Sequence, residues 1–481
     1  MKLPRVMLAG VKSGSGKTTI TTGLLALLKE RGLNVQAFKC GPDYIDPMFH
    51  SNVIGVPSVN LDTFFLEPDG VKAVFSRHAV GSDISVIEGV MGYYDGLGGY
   101  TTRASSYELA TVTDTPVILI VDGRGMSTSA AAIIKGFLDY RPDDHVAGVI
   151  FNRISPMLYP RLKMLTEQEL SIRCLGYVPE NESMCFESRH LGLMMPEEIK
   201  DLKSRISHIA DGLNETLDIE GILEIAEGAV ETISETAESA EAVEHEDFLS
   251  QGEMRASFVA GNLHTTQEYH EKKVRIALAK DEAFCFIYED NLNLLRSIGA
   301  EIVTFSPLHD AGLPDNVQGL LLYGGYPELY AEQLSANKSM RNSIQDALKQ
   351  GLPCMAECGG FMYLHEYMEG EDGHAWPMVG AIAGKAFKTK RLQRFGYKKL
   401  RTEGMEIFGA KISRNINVHE FHYYDSENPG DCITAEKPVS GMQHQCMHVS
   451  DTLLAGFPHL YYCGAPEIAE AFMNKCRGYV C

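Results

Sequence analysis

At 481 residues the chain is longer than one hydrophobic core sustains, since chains split into domains beyond roughly 250–300 residues, and 44 % hydrophobic against 22 % charged residues suits a folded protein with two sizeable cores. A formal net charge of −21 argues against phosphate backbones and anionic lipid, so neither nucleic acid nor membrane is an expected partner. The eleven cysteines are odd in number and irregularly spaced, with no CxxC pair or zinc-type Cys/His cluster, and read as reduced thiols; no run reaches the roughly 18 apolar residues of a membrane helix and MKLPRVMLAGV is too short for a signal peptide, so a cytoplasmic location is expected.

The first 155 or so residues alternate helical patterns with RVMLAGV, NVQAFKC, ISVIEGV, PVILIVD and VAGVIFNR, each apolar on both faces. Such runs predict buried parallel strands in a doubly wound α/β sheet, and CLGYVP continues the series. At the end of the first run stands AGVKSGSGKTTITTGLLALL. In this order of strand, loop and apolar helix, Gly14 and Gly16 turn the loop and let backbone N–H groups approach a phosphate. Lys17 reaches the terminal phosphates, Thr18 offers a hydroxyl to Mg²⁺, and Thr19 continues the helix. Val11 stands where the strict phosphate-loop pattern has glycine, so this is a variant loop. Lys12 reads either as a residue reaching a second nucleotide across a homodimer or as a solvated loop lysine.

KCGPDYIDPMFH follows the second run and EGVMGYYDG follows ISVI. Ligands of parallel sheets bind at the carboxyl ends of the strands, which predicts Asp43, Asp46, Glu88 and Asp95 around the phosphates, with Glu88 the foremost Mg²⁺ carboxylate. Asp43, after Pro42, also reads as a turn former. Residues 195 to 228 look helical. From Ile206 to Met254 there is no Lys or Arg against 14 Asp and Glu, and the low-complexity part of this stretch predicts a solvated linker.

The pattern restarts with VRIALAKD, EIVTFSP, GLLLYGG and PCMAEC, a second α/β set, followed by further strand-like segments from GAIAGKAFK onward. Within PCMAECGGFMYLHE a strand ends at Glu357, Cys358 occupies the turn, and a helix follows Gly359 and Gly360. That is the layout of a nucleophile elbow, with Cys354 as buried packing. The Gly359 N–H and the glycine turn at Gly324 and Gly325 are candidates for an oxyanion hole. A nucleophilic cysteine needs a base, and spacing alone does not choose among His419, His422 and His459; the first two alternate with apolar residues like strand positions.

Taken together, AGVKSGSGKTT, FKCGPDYIDPMFH, LDTFF, EGVMGYYDG, RHLGL, AKDEAFCFIYEDNLNLL, FSPLHDAGLP, LLYGGYPELY and AECGGFMYL resemble the ATP-dependent, glutamine-hydrolysing cobyrinate a,c-diamide synthases, over nearly the whole chain apart from the acidic segment. The resemblance implies a P-loop, dethiobiotin-synthetase-like amidoligase domain over 1–228, a linker over 229–270, and a class I glutamine amidotransferase-like α/β domain over 271–481. It selects His459, in the segment Phe457-Pro458-His459, as partner of Cys358. Many class I amidotransferases carry Glu two residues after that histidine, whereas this chain has Tyr461, so the expectation is a Cys–His dyad whose orienting partner is unidentified.

The same resemblance implies ATP and Mg²⁺ as cofactors and cobyrinic acid and L-glutamine as substrates. It places nucleotide contacts at Gly14 to Thr19, an adenine reader at Asn152, metal ligands at Thr18, Glu88 and Asp46, and substrate contacts at Asp43, Tyr44, Asp95, Arg189 and His190. The implied chemistry is a thioester on Cys358 that liberates ammonia and an acyl phosphate that receives it. Two alternatives stand beside this reading: the same diamidation of nickel-sirohydrochlorin, and a nucleotide-switched binding protein whose amidotransferase domain is inactive. A relative that amidates the other corrinoid carboxylates is disfavoured by LHDAGLP and RHLGL.

Overall fold

The computed structural model describes residues 2–180, 188–189, 192–193, 202–229 and 273–479. The chain forms two compact units, Met1–Ala242 and Val243–Cys481, and the division falls within the acidic segment, which beyond Ala229 lies outside the described residues up to 272.

In the first unit the apolar runs become β1 (Arg5–Gly10), β2 (Val35–Cys40), β4 (Ile84–Glu88), β5 (Val117–Asp122), β6 (Val146–Asn152) and β7 (Arg173–Val178), joined by a short β3 (Ser58–Leu61). They form one parallel sheet in the order β3-β2-β4-β1-β5-β6-β7. Because β1 lies between β4 and β5, the loop after β1 emerges where the strand order reverses, with the ends of both neighbours beside it. Helix α1 (Lys17–Glu30) leaves that loop and buries Ile20, Leu24 and Leu28, each at the helical spacing of four and each without exposure. Burying a leucine of this kind contributes about 1.5–3 kcal/mol. Helices α2 (Leu202–Thr216) and α3 (Ile219–Glu227) occupy the stretch that looked helical, as far as it is described.

The second unit has a sheet in which β8 (Val274–Ala279), β9 (Ala300–Phe305), β10 (Gly319–Leu322), β11 (Cys354–Glu357) and a later strand, Leu453–Gly456, run parallel; a two-residue strand, His448–Val449, closes it antiparallel. Successive side chains go to opposite faces, so Ile276 and Leu278 join Leu321, Met355 and Phe472 in one apolar layer. Ala277 and Ala279 join Leu320, Leu322, Cys354 and Phe361 in the other. A second, largely antiparallel sheet contains β12 (Ile382–Leu400) paired with β13 (Ile416–Ser426). Between Gly456 and His459 the chain steps from the first sheet to the second: Gly456 is in register with Glu357, and His459 pairs with His419 of β13. That step carries His459 over the carboxyl end of β11.

Nine cysteines are described and none is in a disulfide. Among the described residues no helix is long and apolar enough to cross a membrane.

Candidate functional sites

The loop after β1 turns through Gly14 and Gly16, at φ +73° and +97°. A Cβ on Gly16 would stand 2.0 Å from the Asn152 amide nitrogen, so glycine is required there for space as well as for conformation. Asn152, at the end of β6, donates from Nδ2 to the Ser15 carbonyl at 2.8 Å and thereby anchors the loop. The Ser15 hydroxyl is buried and closes the turn on the Lys12 carbonyl at 2.9 Å. Lys17 is buried, and its ammonium donates to the Met91 carbonyl. Burial first, then the nearby Lys39 cation, lowers its pKa to about 8. Thr19 lies half-buried in the first turn of α1. Lys12 is largely exposed and pairs within the chain with Asp122 at 3.4 Å, a carboxylate that also receives Arg153 at 3.0 Å.

The carboxylates separate into two kinds. Glu88 and Asp46 are buried around Lys39, whose Nζ lies 3.0 Å from Glu88 Oε1 and 2.5 Å from Asp46 Oδ2, with Asp43 at 3.9 Å. Parallel pairing of β2 with β4 sets Lys39 directly opposite Glu88. Thr18 Oγ1 donates to Glu88 Oε1 at 2.6 Å, and His50 Nε2 approaches Glu88 Oε2 at 3.3 Å. Burial opposes charge on Glu88, but Lys39 and His50 outweigh it and hold that carboxyl well below the usual range. Burial and the neighbouring Asp43 and Glu88 push Asp46 the other way.

Asp43 and Asp95 are turn-forming in their hydrogen bonds: Asp43 Oδ1 accepts from the Ile45 N–H at 2.8 Å, and Asp95 Oδ2 from the Gly92 N–H at 2.9 Å. Tyr44 stands between Asp43 and the short helix Ile45–Met48, half-buried. Arg189 belongs to a two-residue strand paired with Gly192–Leu193, and His190 lies outside the described residues.

Among the described residues no group of three or more His, Cys, Asp or Glu is arranged to hold a metal. The donors that do converge, the Thr18 hydroxyl and the Glu88 and Asp46 carboxylates, are hard oxygens. They fit Mg²⁺, which takes few protein ligands and completes its shell with phosphates and water.

In the second unit β11 ends at Glu357 and Cys358 turns sharply at φ +48°, ψ −106°, before the short helix α4 (Gly359–Tyr363). The turn is fixed by its own backbone: Cys358 N–H donates to the Gly456 carbonyl at 2.8 Å, and its carbonyl accepts from the Met362 N–H at 2.9 Å. Cys358 is 5 % exposed and hydrogen-bonds to the His459 imidazole. Burial acts to keep that imidazole neutral, but Cys358 and then Glu357 outweigh it, and its pKa is pushed up to about 10.

Glu357 Oε2 lies 3.6 Å from His459 Nδ1. The turn after β10 meets the elbow: Gly325 N is 3.2 Å from where a Cβ on Gly359 would stand, and a Cβ on Gly324 would stand 2.7 Å from His459 Cε1. Tyr461 points elsewhere, donating to Asp290 at 2.9 Å. Asn291 holds the backbone on either side of Tyr461, donating to the Leu460 carbonyl at 2.9 Å and accepting from the Tyr462 N–H at 2.7 Å.

The two other histidines are strand residues. His422 stacks on Phe457 with centroids 4.0 Å apart, while His419 is lowered to about 3 by burial and by the adjacent His459. Cys354 is fully buried in β11, which pushes its thiol well up.

Lys39, His50, Asn291 and Glu357 are site neighbours that motif reading did not single out. Lys39 and Glu357 each carry one sequence signal, a charged residue near the end of a largely apolar run, as in NVQAFKC and PCMAEC, whereas His50 and Asn291 stand beside other polar residues, in DPMFHSN and YEDNLN, and carry none.

Residues 6–191 match the family described as the CobQ/CobB/MinD/ParA nucleotide binding domain, and residues 275–462 the CobB/CobQ-like glutamine amidotransferase domain. A cobyrinate a,c-diamide synthase of Listeria innocua is 40 % identical over 421 residues, covering 87 % of this chain and 86 % of that protein. Proteins of the same name from Priestia megaterium and Thermoplasma volcanium are 35 % and 36 % identical, covering 98 % and 100 % of this chain and 97 % and 98 % of theirs.

Proposed function

The chain belongs to the cobyrinate a,c-diamide synthase family, and we propose that it amidates the a and c side-chain carboxylates of cobyrinic acid in cobalamin biosynthesis, with nitrogen from glutamine and energy from ATP. The observation that carries this reading is full-length similarity together with a Cys358–His459 pair at an elbow and a phosphate loop at a sheet switch point.

The geometry of the elbow supports the glutaminase half of this reading. Cys358 passes its proton to His459, and the thiolate adds to the amide carbon of glutamine. The oxyanion is met by the N–H groups of Gly359 and Gly325, and His459 returns the proton to the departing nitrogen, releasing ammonia. Water then hydrolyses the thioester to glutamate.

In the nucleotide unit a substrate carboxylate oxygen attacks the γ-phosphorus of ATP, ADP leaves, and ammonia displaces phosphate from the acyl phosphate to give the amide. Gly14 to Thr19 hold the phosphates, Lys17 reaches the terminal ones, and Asn152 fixes the loop and the adenine side of the site. Thr18, Glu88 and Asp46 would hold Mg²⁺, which when bound offsets the charge of the phosphates. Asp43, Tyr44 and Asp95 contact the tetrapyrrole in this reading, and the family resemblance gives Arg189 and His190 the same role. ATP and glutamine are cytoplasmic metabolites, and the free thiols suit that compartment. If Lys12 also reaches a second nucleotide, sedimentation shows a dimer that requires ATP.

The test incubates the protein with ATP, Mg²⁺ and glutamine and offers cobyrinic acid or nickel-sirohydrochlorin, following mass. Two successive OH-to-NH₂ changes on cobyrinic acid alone, lost in Cys358→Ala and restored by added ammonia, are expected. Reaction only on the nickel compound refutes the substrate, and reaction on neither refutes the enzyme reading.

A further inference from the structure

We infer that Glu357, the residue immediately before the nucleophile, is the positioning residue that holds the His459 imidazole in the tautomer and orientation its reaction with Cys358 requires. The inference rests on the Cys358–His459 glutaminase reading. It supplies the acidic partner that Tyr461 cannot, since the Tyr461 hydroxyl is committed to Asp290.

The geometry is that of an acid–histidine–nucleophile line. Glu357 Oε2 faces His459 Nδ1 at 3.6 Å, and the same imidazole hydrogen-bonds to Cys358. A carboxylate at Nδ1 fixes the proton on that nitrogen and leaves Nε2 as the base for the thiol. The imidazolium formed on proton transfer is then stabilised by a negative charge that does not move.

The surroundings favour a charged interaction over a chance contact. Glu357 is 2 % exposed in a strand otherwise made of Cys354, Met355 and Ala356. A buried carboxyl there is costly unless it is paired, and burial accordingly pushes its pKa up while His459 opposes that shift. Its Oε2 also accepts from the Leu460 N–H at 3.3 Å, and Oε1 is buried with no hydrogen-bond partner among the described residues.

Three further titratable groups act on the pair among the described residues, and each is uncharged. Tyr323 and Tyr462 lie near Glu357 and are hydrogen-bonded to each other at 2.8 Å. His419, on β13 and directly opposite His459 in the strand pairing, is held neutral by burial. His459 is thus the basic group placed to answer Glu357.

The competing reading is structural: Glu357 merely pins the backbone at Leu460. The two are separated by Glu357→Gln, which keeps the shape and a hydrogen-bond acceptor for Leu460 N–H but removes the charge. Glutamate release from glutamine is measured across pH, together with the rate at which iodoacetamide alkylates Cys358 and with the melting temperature.

Positioning predicts a fall in kcat of about 10²-fold or more at little-changed glutamine KM, the scale of lost acid–base catalysis. It also predicts a displaced pH profile, slower alkylation near neutral pH, and partial recovery in Glu357→Asp. Unchanged turnover in Glu357→Gln overturns the inference. So does a fall in turnover that tracks a lowered melting temperature while the pH profile and the alkylation of folded protein stay as in the wild type. Cys358→Ala distinguishes the underlying reading: residual glutaminase in that variant would refute the Cys–His assignment itself, whereas a dead Cys358→Ala beside an unaffected Glu357→Gln refutes only the role of Glu357.

Discussion

The backbone of Cys358 stores strain that a pair of substitutions can read out. At φ +48°, ψ −106° a residue with a Cβ sits in a sparsely populated region, which costs about 1–3 kcal/mol. Cys358→Ala and Cys358→Gly both remove the thiol, so the loss of the Cys358–His459 interaction is common to both and cancels in the comparison. At a relaxed buried position, changing Ala to Gly costs about 0.5–1 kcal/mol of backbone entropy and about 0.8 kcal/mol for the lost methyl. Glycine would then be the less stable by about 1.3–1.8 kcal/mol. Here the relief of strain offsets that cost. The glycine variant should fall between about 0.8 kcal/mol below and 1.7 kcal/mol above the alanine variant. Calorimetry of the two variants measures the difference, at about 2–4 °C of melting temperature per kcal/mol for a unit of this size. Both variants should lack glutaminase activity. A glycine variant less stable than the alanine variant by about 1.3 kcal/mol or more refutes the argument, because the elbow would then hold no strain to release.

Three further perturbations follow from the geometry. Lys39→Met leaves Glu88 and Asp46 as buried carboxylates without their cation, which should cost about 3–5 kcal/mol and lower the melting of the nucleotide unit by about 6–20 °C, checked by calorimetry. Gly16→Ala should weaken nucleotide binding by calorimetric titration and destabilise the unit by about 2–3 kcal/mol, from the left-handed backbone and the displaced Asn152 bond; adding Asn152→Ala should recover the steric part. His365 is buried between the Phe361 carbonyl and Ser426 Oγ at 2.9 and 2.6 Å, and burial lowers its pKa to about 4. A folded pKa below the unfolded one means that the neutral form's contribution is complete above pH ~6.5 and is lost as pH falls toward 4, so the melting temperature of the amidotransferase unit should drop over that window and His365→Gln should flatten the slope.

Both sheets were readable where strands are buried on both faces, because RVMLAGV or PVILIVD then carries no polar alternation to confuse the pattern. The short edge strand Ser58–Leu61 had no such signature: four residues with a serine and an asparagine, paired on one side only, look like loop. The phosphate loop was equally visible, since a helix beginning at Lys17 after a glycine turn is a local event. Lys39 was not, although it stands in a quoted segment. Its meaning comes from parallel register, which sets it against a glutamate 49 residues away, and register is absent from either segment read alone.

The amidotransferase site shows a different obstacle. Glu357 and Cys358 are neighbours in sequence, and in a continuing strand successive side chains would point to opposite faces, so a sequence reading has no reason to bring both to one histidine. The positive φ at Cys358 ends that alternation. The chain leaves the strand there, and the two consecutive side chains both reach His459 as it arrives from the end of Leu453–Gly456. An elbow therefore does more than expose a nucleophile at the end of a strand. It also lets a carboxylate one residue earlier act on the nucleophile's own base. A third group encoded beside the cysteine rather than after the histidine can be seen only once the sign of one backbone angle is known.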